Sequence, residues 1–144
     1  MTDPFVHPEE STAAEAIAAI GEELAFFDDW MERYQFIIEL GRKLPPFPEE
    51  WANDAHRVPG CQSRVWMEAT PRDGKLYFAG NSDAAIVSGL VALLLRVYSG
   101  RSPAEIAATD PVFLKDLGLL EALSTNRGNG IAAMARKVRA VAAL

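Results

Sequence analysis

The sequence predicts an α+β fold in which helices pack on one face of a small antiparallel sheet, and two observations predict it. Apolar residues recur at helical spacing before residue 44 and again after residue 84, whereas the residues between them alternate with a period of two. The 144 residues contain no internal repeat, low-complexity tract or long linker. We therefore expect a single domain over residues 1–144 with its own hydrophobic core.

Two helices are predicted in the first part of the chain. Thr12 and Glu15 form a capping box, and apolar residues follow at helical spacing, namely Ile17, Ile20, Leu24 and Phe27. The second helix runs from about Trp30 to Lys43, and the proline-rich segment 44–48 ends it. A loop with a helical turn is expected over Pro48–Asn53.

A β-hairpin is predicted next, because the apolar period changes. Val65, Met67 and Ala69 alternate with polar or outward positions, as in a half-buried strand. Residues 71–74, with the sequence PRDG, form a turn, and Lys75–Ala79 form the second strand.

The remaining segments are predicted to be mainly helical. An apolar helix spans residues 84–98, and its N-cap candidates are Asn81, Ser82 and Asp83. Short helices begin at Ser102-Pro103 and at Asp110-Pro111, the latter ending near Gly118. Ser124–Gly130 is predicted to be a loop, and a last helix follows with apolar residues directed inward, namely Ile131, Met134, Val138 and Val141.

The net charge of −6 is unevenly distributed along the chain. Residues 1–54 contain 13 acidic and 3 basic side chains, whereas residues 55–144 contain 7 acidic and 11 basic ones. The basic residues are scattered, so we do not expect nucleic-acid binding. The acidic N-terminus does not resemble a signal peptide, and the longest apolar run contains Arg96 and is short for a membrane span. We expect a cytoplasmic protein with no membrane association.

Cys61 is the one cysteine of the chain. A single thiol excludes an intrachain disulfide and any multi-thiolate metal site within one chain, so no metal is expected. Cys61 follows Gly60 in a loop before the first strand, where a partner can reach it and where backbone N–H groups, Gln62 and Ser63 can stabilise a sulfur anion. The alternative is a small buried apolar residue.

Two histidines offer little support for a cysteine hydrolase. His56 could act as a base with Asp54 beside it, but sequence neighbours are rarely the spatial partners in such sites. We expect His56 to be a solvated loop residue and His7 to lie in a frayed N-terminus. Sulfur transfer needs no base of its own, because a thiolate attacks the outer sulfur of a partner's persulfide.

Four collinear segments of the chain resemble the SufE family of sulfur acceptors. The most specific is residues 60–66, GCQSRVW, which is similar to the persulfide-cysteine motif of that family. The others are residues 29–45, 80–87 and 123–131. The likeness covers about residues 26–142, and it covers residues 1–25 only weakly.

The resemblance implies a fold like that of SufE and of the IscU-type scaffold proteins, with Cys61 as the sulfur-accepting residue. It places Asp83 and Arg127 near the cysteine loop, with Gln62 and Ser63 positioning that loop, and Gly60 belongs to the matching motif. It implies that a cysteine desulfurase of the SufS or CsdA type donates the sulfur and is stimulated, and that a SufBCD-type scaffold complex receives it. Pyridoxal phosphate would belong to the desulfurase, with no cofactor on this chain.

Two questions stay open at this point. The chain could regulate a desulfurase as a binding module without covalent sulfur transfer, in which case Cys61→Ser would keep the stimulation. The sequence is also compatible with either a monomer or a homodimer.

Overall fold

The computed structural model describes residues 3–144, and it describes their side chains except at positions 121, 122, 125 and 126. Its α-helices are α1 (Ala13–Ala25), α2 (Trp30–Arg42), α3 (Ala85–Tyr98), α4 (Pro103–Ala108), α5 (Phe113–Asp116), α6 (Leu119–Ala122) and α7 (Thr125–Ala142). Its strands are β1 (Val65–Arg72) and β2 (Lys75–Ser82), and 3-10 turns lie at Glu49–Trp51 and Asp54–His56. The predicted α+β architecture is confirmed.

The hairpin is longer and its turn tighter than the sequence predicted. β1 and β2 pair antiparallel, from Arg72 opposite Lys75 to Val65 opposite Ser82. Asp73 and Gly74 form the two-residue turn with φ angles of 53° and 80°. Asp-Gly is the favoured pair for a turn with both φ angles positive, because aspartate tolerates this region and glycine is unrestricted in it. Pro71 and Arg72 therefore belong to β1 rather than to the turn.

Helix α3 lies at the centre of the hydrophobic core. It packs between α2 and the hairpin, and most of its side chains are buried. The approach to α2 is very close, since a Cβ on Gly89 would lie 2.1 Å from the carbonyl oxygen of Ile37. A Cβ on Gly41 would lie 2.5 Å from the backbone nitrogen of Gly89. The α2–α3 contact therefore depends on having no side chain at either glycine.

The N-terminal segment before α1 is packed on the hairpin, so the prediction of a frayed terminus is wrong for the described residues. The Val6 N–H donates to the Phe78 carbonyl at 2.8 Å, and the Val6 carbonyl accepts from the Ser99 hydroxyl at 2.6 Å. Phe5 is buried, and the ring of His7 lies 4.8 Å from that of Tyr77. The burial of Phe5 and the edge hydrogen bond of β2 outweigh the entropy that a free terminus would retain.

Two predictions about helix starts are also wrong. Ser124–Gly130 is not a loop, because α7 begins at Thr125, with the Ser124 hydroxyl accepting from the Arg127 N–H as its N-cap. Asn81–Asp83 do not cap α3, whose N-cap is Ala84 without a side-chain hydrogen bond. Ser82 instead ends β2 opposite Val65. The short helix α6 was not predicted, and it follows Gly118 at a φ of 77°.

No helix in residues 3–144 is both long enough and apolar enough to cross a lipid bilayer.

Candidate functional site

The loop that carries Cys61 is closed at its base by the backbone. The Val58 N–H donates to the Val65 carbonyl at 2.8 Å, which joins the start of the loop to the start of β1. Gly60 adopts a φ of 85°, a left-handed conformation that favours glycine. The chain therefore turns sharply just before Cys61 and presents its side chain toward α7.

Helix α7 forms the floor beneath this loop. The Cys61 thiol donates a long hydrogen bond of 3.5 Å to the Gly130 carbonyl. A Cβ on Gly130 would lie 3.9 Å from the Cys61 sulfur, and a Cβ on Gly60 would lie 3.3 Å from the Ala133 Cβ. Residues 124–130 were predicted as a loop because of their small and polar composition, but residues 125–130 form the first turns of α7, and Gly130 supplies the carbonyl that accepts from Cys61.

Cys61 lines a cavity of about 250 Å³ between the loop, α3 and α7. Its wall combines apolar and polar side chains, and it is formed by Cys61, Gln62, Ser63, Val87, Leu90, Ser124, Arg127, Gly130 and Met134. The thiol itself is half-buried. The structure therefore brings four of the sequence-predicted residues to one cavity, namely Cys61, Gln62, Ser63 and Arg127, with Gly60 supplying the turn beside them.

Asp83 does not line this cavity but holds the other end of the loop. Its Oδ1 atom accepts from the Arg64 N–H at 3.1 Å, and its own N–H donates to the Arg64 carbonyl at 3.3 Å. The Ser82 hydroxyl donates to the same carbonyl at 2.7 Å. Asp83 thus holds the backbone of the loop at Arg64, and so does Ser82, which was predicted only as a helix cap.

Arg127 lies at the mouth of the cavity and reaches toward α2. Its guanidinium carbon is 5.8 Å from the centre of the Tyr34 ring, within the range of a cation–π interaction. The side chain is exposed, and its backbone N–H is held by Ser124. Arg127 therefore places a cation at the surface, on the same cavity as Cys61.

Burial and nearby positive charges shift the pKa of Cys61 in opposite directions. Burial raises the pKa of the thiol above its ordinary value, while the positive charges of Arg136 and Arg57 lower it by a smaller amount. The thiol form is therefore favoured at neutral pH while the site is at rest. Arg57 and Arg136 could not be predicted as site residues, because scattered basic residues carry no motif that would indicate them.

His56 is not the solvated loop residue that the sequence predicted. Its Nε2 atom lies 2.8 Å from a Glu68 carboxylate oxygen, its Nδ1 atom lies 2.9 Å from Asn53 Oδ1, and its ring stacks on Trp51. Both ring nitrogens therefore bond to groups other than the Cys61 thiol, which donates to the Gly130 carbonyl. This arrangement gives Cys61 no histidine base and disfavours the hydrolase alternative.

Among the side chains that the structure describes, no three histidine, cysteine, aspartate or glutamate residues are grouped as metal ligands would be.

Comparisons with known proteins show a family and a fold to which the chain is similar. The family model described as SufE, Fe-S metabolism associated domain, matches residues 18–142. An uncharacterised SufE-like protein of Rhizobium etli is 43% identical over 124 residues, which cover 82% of this chain and 83% of the relative. One from Rhizobium meliloti is 41% identical over 126 residues, covering 84% and 90%. The solution structure of a hypothetical protein from Thermus thermophilus is 24% identical, with a TM-score of 0.73 and coverage of 89% and 93%, which supports the fold.

Proposed function

The chain belongs to the SufE family, whose domain is associated with iron–sulfur metabolism, and from this premise we propose that Cys61 accepts a persulfide sulfur from a cysteine desulfurase. The observation that carries the proposal is the position of Cys61. It is half-buried at a cavity of about 250 Å³ whose mouth is open to a partner. A sulfur atom added to Cys61 would find room there and partial shelter from reductants in solution.

The transfer step is a thiol–persulfide exchange. The Cys61 thiolate attacks the outer sulfur of the partner's persulfide, a new sulfur–sulfur bond forms on Cys61, and the partner's sulfur–sulfur bond breaks. The partner cysteine leaves as a thiolate, so no external oxidant or reductant is consumed. Removal of the persulfide would free the desulfurase for another turnover and so stimulate it.

The resting site favours the protonated thiol, so the thiolate must become more available when the partner docks. Arg57 and Arg136 already oppose the effect of burial on the pKa of Cys61. Docking that draws the thiol out of its half-buried position would remove part of the desolvation and lower the pKa further. Gly60 supplies the backbone freedom for such a movement.

The surroundings of this reaction follow from the same proposal. The desulfurase would be of the SufS or CsdA type and would hold the pyridoxal phosphate, and the sulfur would pass on to a SufBCD-type scaffold complex. The exchange would take place in the cytoplasm, where thiols remain reduced.

A turnover assay separates sulfur transfer from mere regulation. Alanine production by a cysteine desulfurase should rise several-fold with the wild-type chain and should not rise with Cys61→Ser, because the variant cannot remove the persulfide. Stimulation by Cys61→Ser equal to that by the wild type would overturn the transfer mechanism in favour of a regulatory binding module.

A further inference from the structure

The corner between α1 and α2 exposes large apolar side chains that the proposed sulfur transfer does not use. Phe26 is 83% exposed and Met31 is 79% exposed. The rings of Phe26 and Phe27 lie 5.4 Å apart, and those of Phe27 and Phe36 lie 5.2 Å apart. We call this group the apolar corner, and it consists of Phe26, Phe27, Trp30, Met31 and Phe36. Grouped apolar side chains with this exposure are typical of interaction sites.

The apolar corner is held in place by polar contacts of its backbone. Asp29 caps α2 by accepting from the Glu32 N–H at 2.8 Å. The Arg33 Nε–H donates to the Phe27 carbonyl at 3.0 Å, and its guanidinium carbon lies 5.0 Å from the centre of the Trp30 ring. The surface is therefore presented in a defined shape, which lowers the ordering entropy lost on binding.

The border of the apolar corner is acidic. Residues 22–33 contain five acidic side chains and one basic side chain. Four of the acidic side chains belong to exposed residues, namely Glu22, Asp28, Asp29 and Glu32. A second copy of the chain packed through the same face would place one acidic border against another, and an anionic lipid surface would be repelled in the same way. The complementary partner is a protein with an apolar hollow bordered by lysine and arginine.

The apolar corner is continuous with the mouth of the Cys61 cavity. Trp30 and Tyr34 lie one turn apart on the same side of α2. Arg127, which lines the cavity, is 5.8 Å from the Tyr34 ring. Near Arg127 in the chain, Leu120 is 37% exposed, and its side chain is 3.9 Å from the position of a Cβ on Gly128. One partner can therefore cover Cys61 and the apolar corner together.

We propose that the apolar corner is a second contact for the same cysteine desulfurase that delivers sulfur to Cys61, and that it binds a basic-bordered apolar hollow on that enzyme. This inference rests on the proposed function. The apolar corner contributes to affinity without touching the reacting sulfur atoms. It therefore lowers the desulfurase concentration at which half of the chain is bound. The acidic border adds a contribution to the association rate that depends on salt.

The test of the apolar part uses a purified cysteine desulfurase, with affinity measured by titration calorimetry and sulfur uptake by intact mass. Phe26→Ser with Met31→Ser should weaken binding at least about tenfold, as expected for large side chains at the centre of an interface. At saturating desulfurase the double variant should still gain a sulfur. The matched control is Val112→Ser, which removes an apolar side chain that is 52% exposed elsewhere and should leave the affinity unchanged.

The test of the acidic part reverses two charges at the border. Glu22→Lys with Asp28→Lys should weaken binding at low salt and reduce its dependence on salt, whereas Glu9→Lys with Glu49→Lys, both at exposed positions, is the control of equal charge change. An affinity of the Phe26→Ser, Met31→Ser variant within twofold of the wild type would overturn the docking role even if sulfur transfer occurred. Absence of sulfur uptake by the wild type, with the desulfurase bound, would overturn the proposed function instead.

Discussion

At the scale of single residues, the reactivity of Cys61 depends on the balance between burial and two arginines. Burial raises the pKa of the thiol, and Arg136 and Arg57 oppose that rise. The thiolate is the form that attacks a persulfide, so any change in this balance alters the fraction of reactive sulfur at a given pH.

Alkylation by iodoacetamide measures this balance directly. The pH midpoint of the alkylation rate should lie above that of a cysteine in an unstructured peptide, because the pKa is raised. Arg136→Gln should move the midpoint higher still, since Arg136 lowers the pKa of Cys61 more than Arg57 does. Lys137→Gln, at the neighbouring exposed position, is the control and should leave it unchanged. A midpoint at or below that of the free peptide would contradict the account of the site.

Gly60 is the residue whose conformation aims Cys61 at α7. Gly60→Ala should cost about 1–2 kcal/mol of stability, because its φ of 85° is unfavourable for alanine. It should also slow sulfur uptake, since the added methyl group would lie 3.3 Å from the Ala133 Cβ and would shift the loop.

Gly74→Ala supplies the matched control for that prediction. Gly74 has a φ of 80°, and a Cβ there would meet no atom within 4 Å. It should lose similar stability in thermal unfolding but keep the wild-type rate of sulfur uptake. Equal uptake by Gly60→Ala and Gly74→Ala would show that the turn at Gly60 does not position the thiol.

At the scale of elements, the contact between α2 and α3 fixes the frame on which the site is built. Gly89→Ala should destabilise the protein by about 3 kcal/mol or more, at the upper end of overpacking effects, because the new Cβ would lie 2.1 Å from the Ile37 carbonyl oxygen. Gly128→Ala in α7 is the control, since among the side chains that the structure describes the nearest, Leu120, would be 3.9 Å from the new Cβ. That change should stabilise by up to about 1 kcal/mol through helix propensity. Chemical denaturation measures both, and equal free energies of unfolding would contradict the close packing.

The elements also show what the sequence could and could not predict. The helices α1, α2 and α3 and the hairpin were predictable because capping residues, prolines and apolar periods act locally. The start of α7 was not, because the glycines within residues 124–130 have low helix propensity, and the helix there is set by the Ser124 N-cap and by tertiary packing. Cys61 and its neighbours could be predicted from a local motif, whereas Arg57 and Arg136 reach the site only through tertiary packing.

At the scale of the whole molecule, Arg96 of α3 joins the N-terminal segment and α1 to the core. Its guanidinium pairs with Glu10 at 2.8 Å and with Glu23 at 2.7 Å. The hydrogen bond from Arg96 also lowers the pKa of Glu10 below its ordinary value. The neighbouring Arg101 is buried and donates to the carbonyls of Val97, Arg96 and Glu10.

Arg96→Gln should destabilise the protein by about 2 kcal/mol near neutral pH, because it removes both ion pairs. This is less than the cost of removing one partner of a fully buried ion pair. Because the folded pKa of Glu10 is lowered, this stabilisation is present above the unfolded pKa and is lost as pH falls through the folded value. The difference between wild type and variant in thermal unfolding should shrink in acid. Arg42→Gln, which removes an exposed pair with Glu39, should cost about 0–1 kcal/mol. A difference for Arg96→Gln that did not shrink in acid would contradict this role.

The most direct test of the account is the intact mass of the chain after incubation with a cysteine desulfurase, pyridoxal phosphate and cysteine. The wild type should gain about 32 Da per sulfur, the gain should be reversed by a reductant, and Cys61→Ser should show none. A wild-type chain that binds an active desulfurase and gains no mass would contradict sulfur transfer at Cys61.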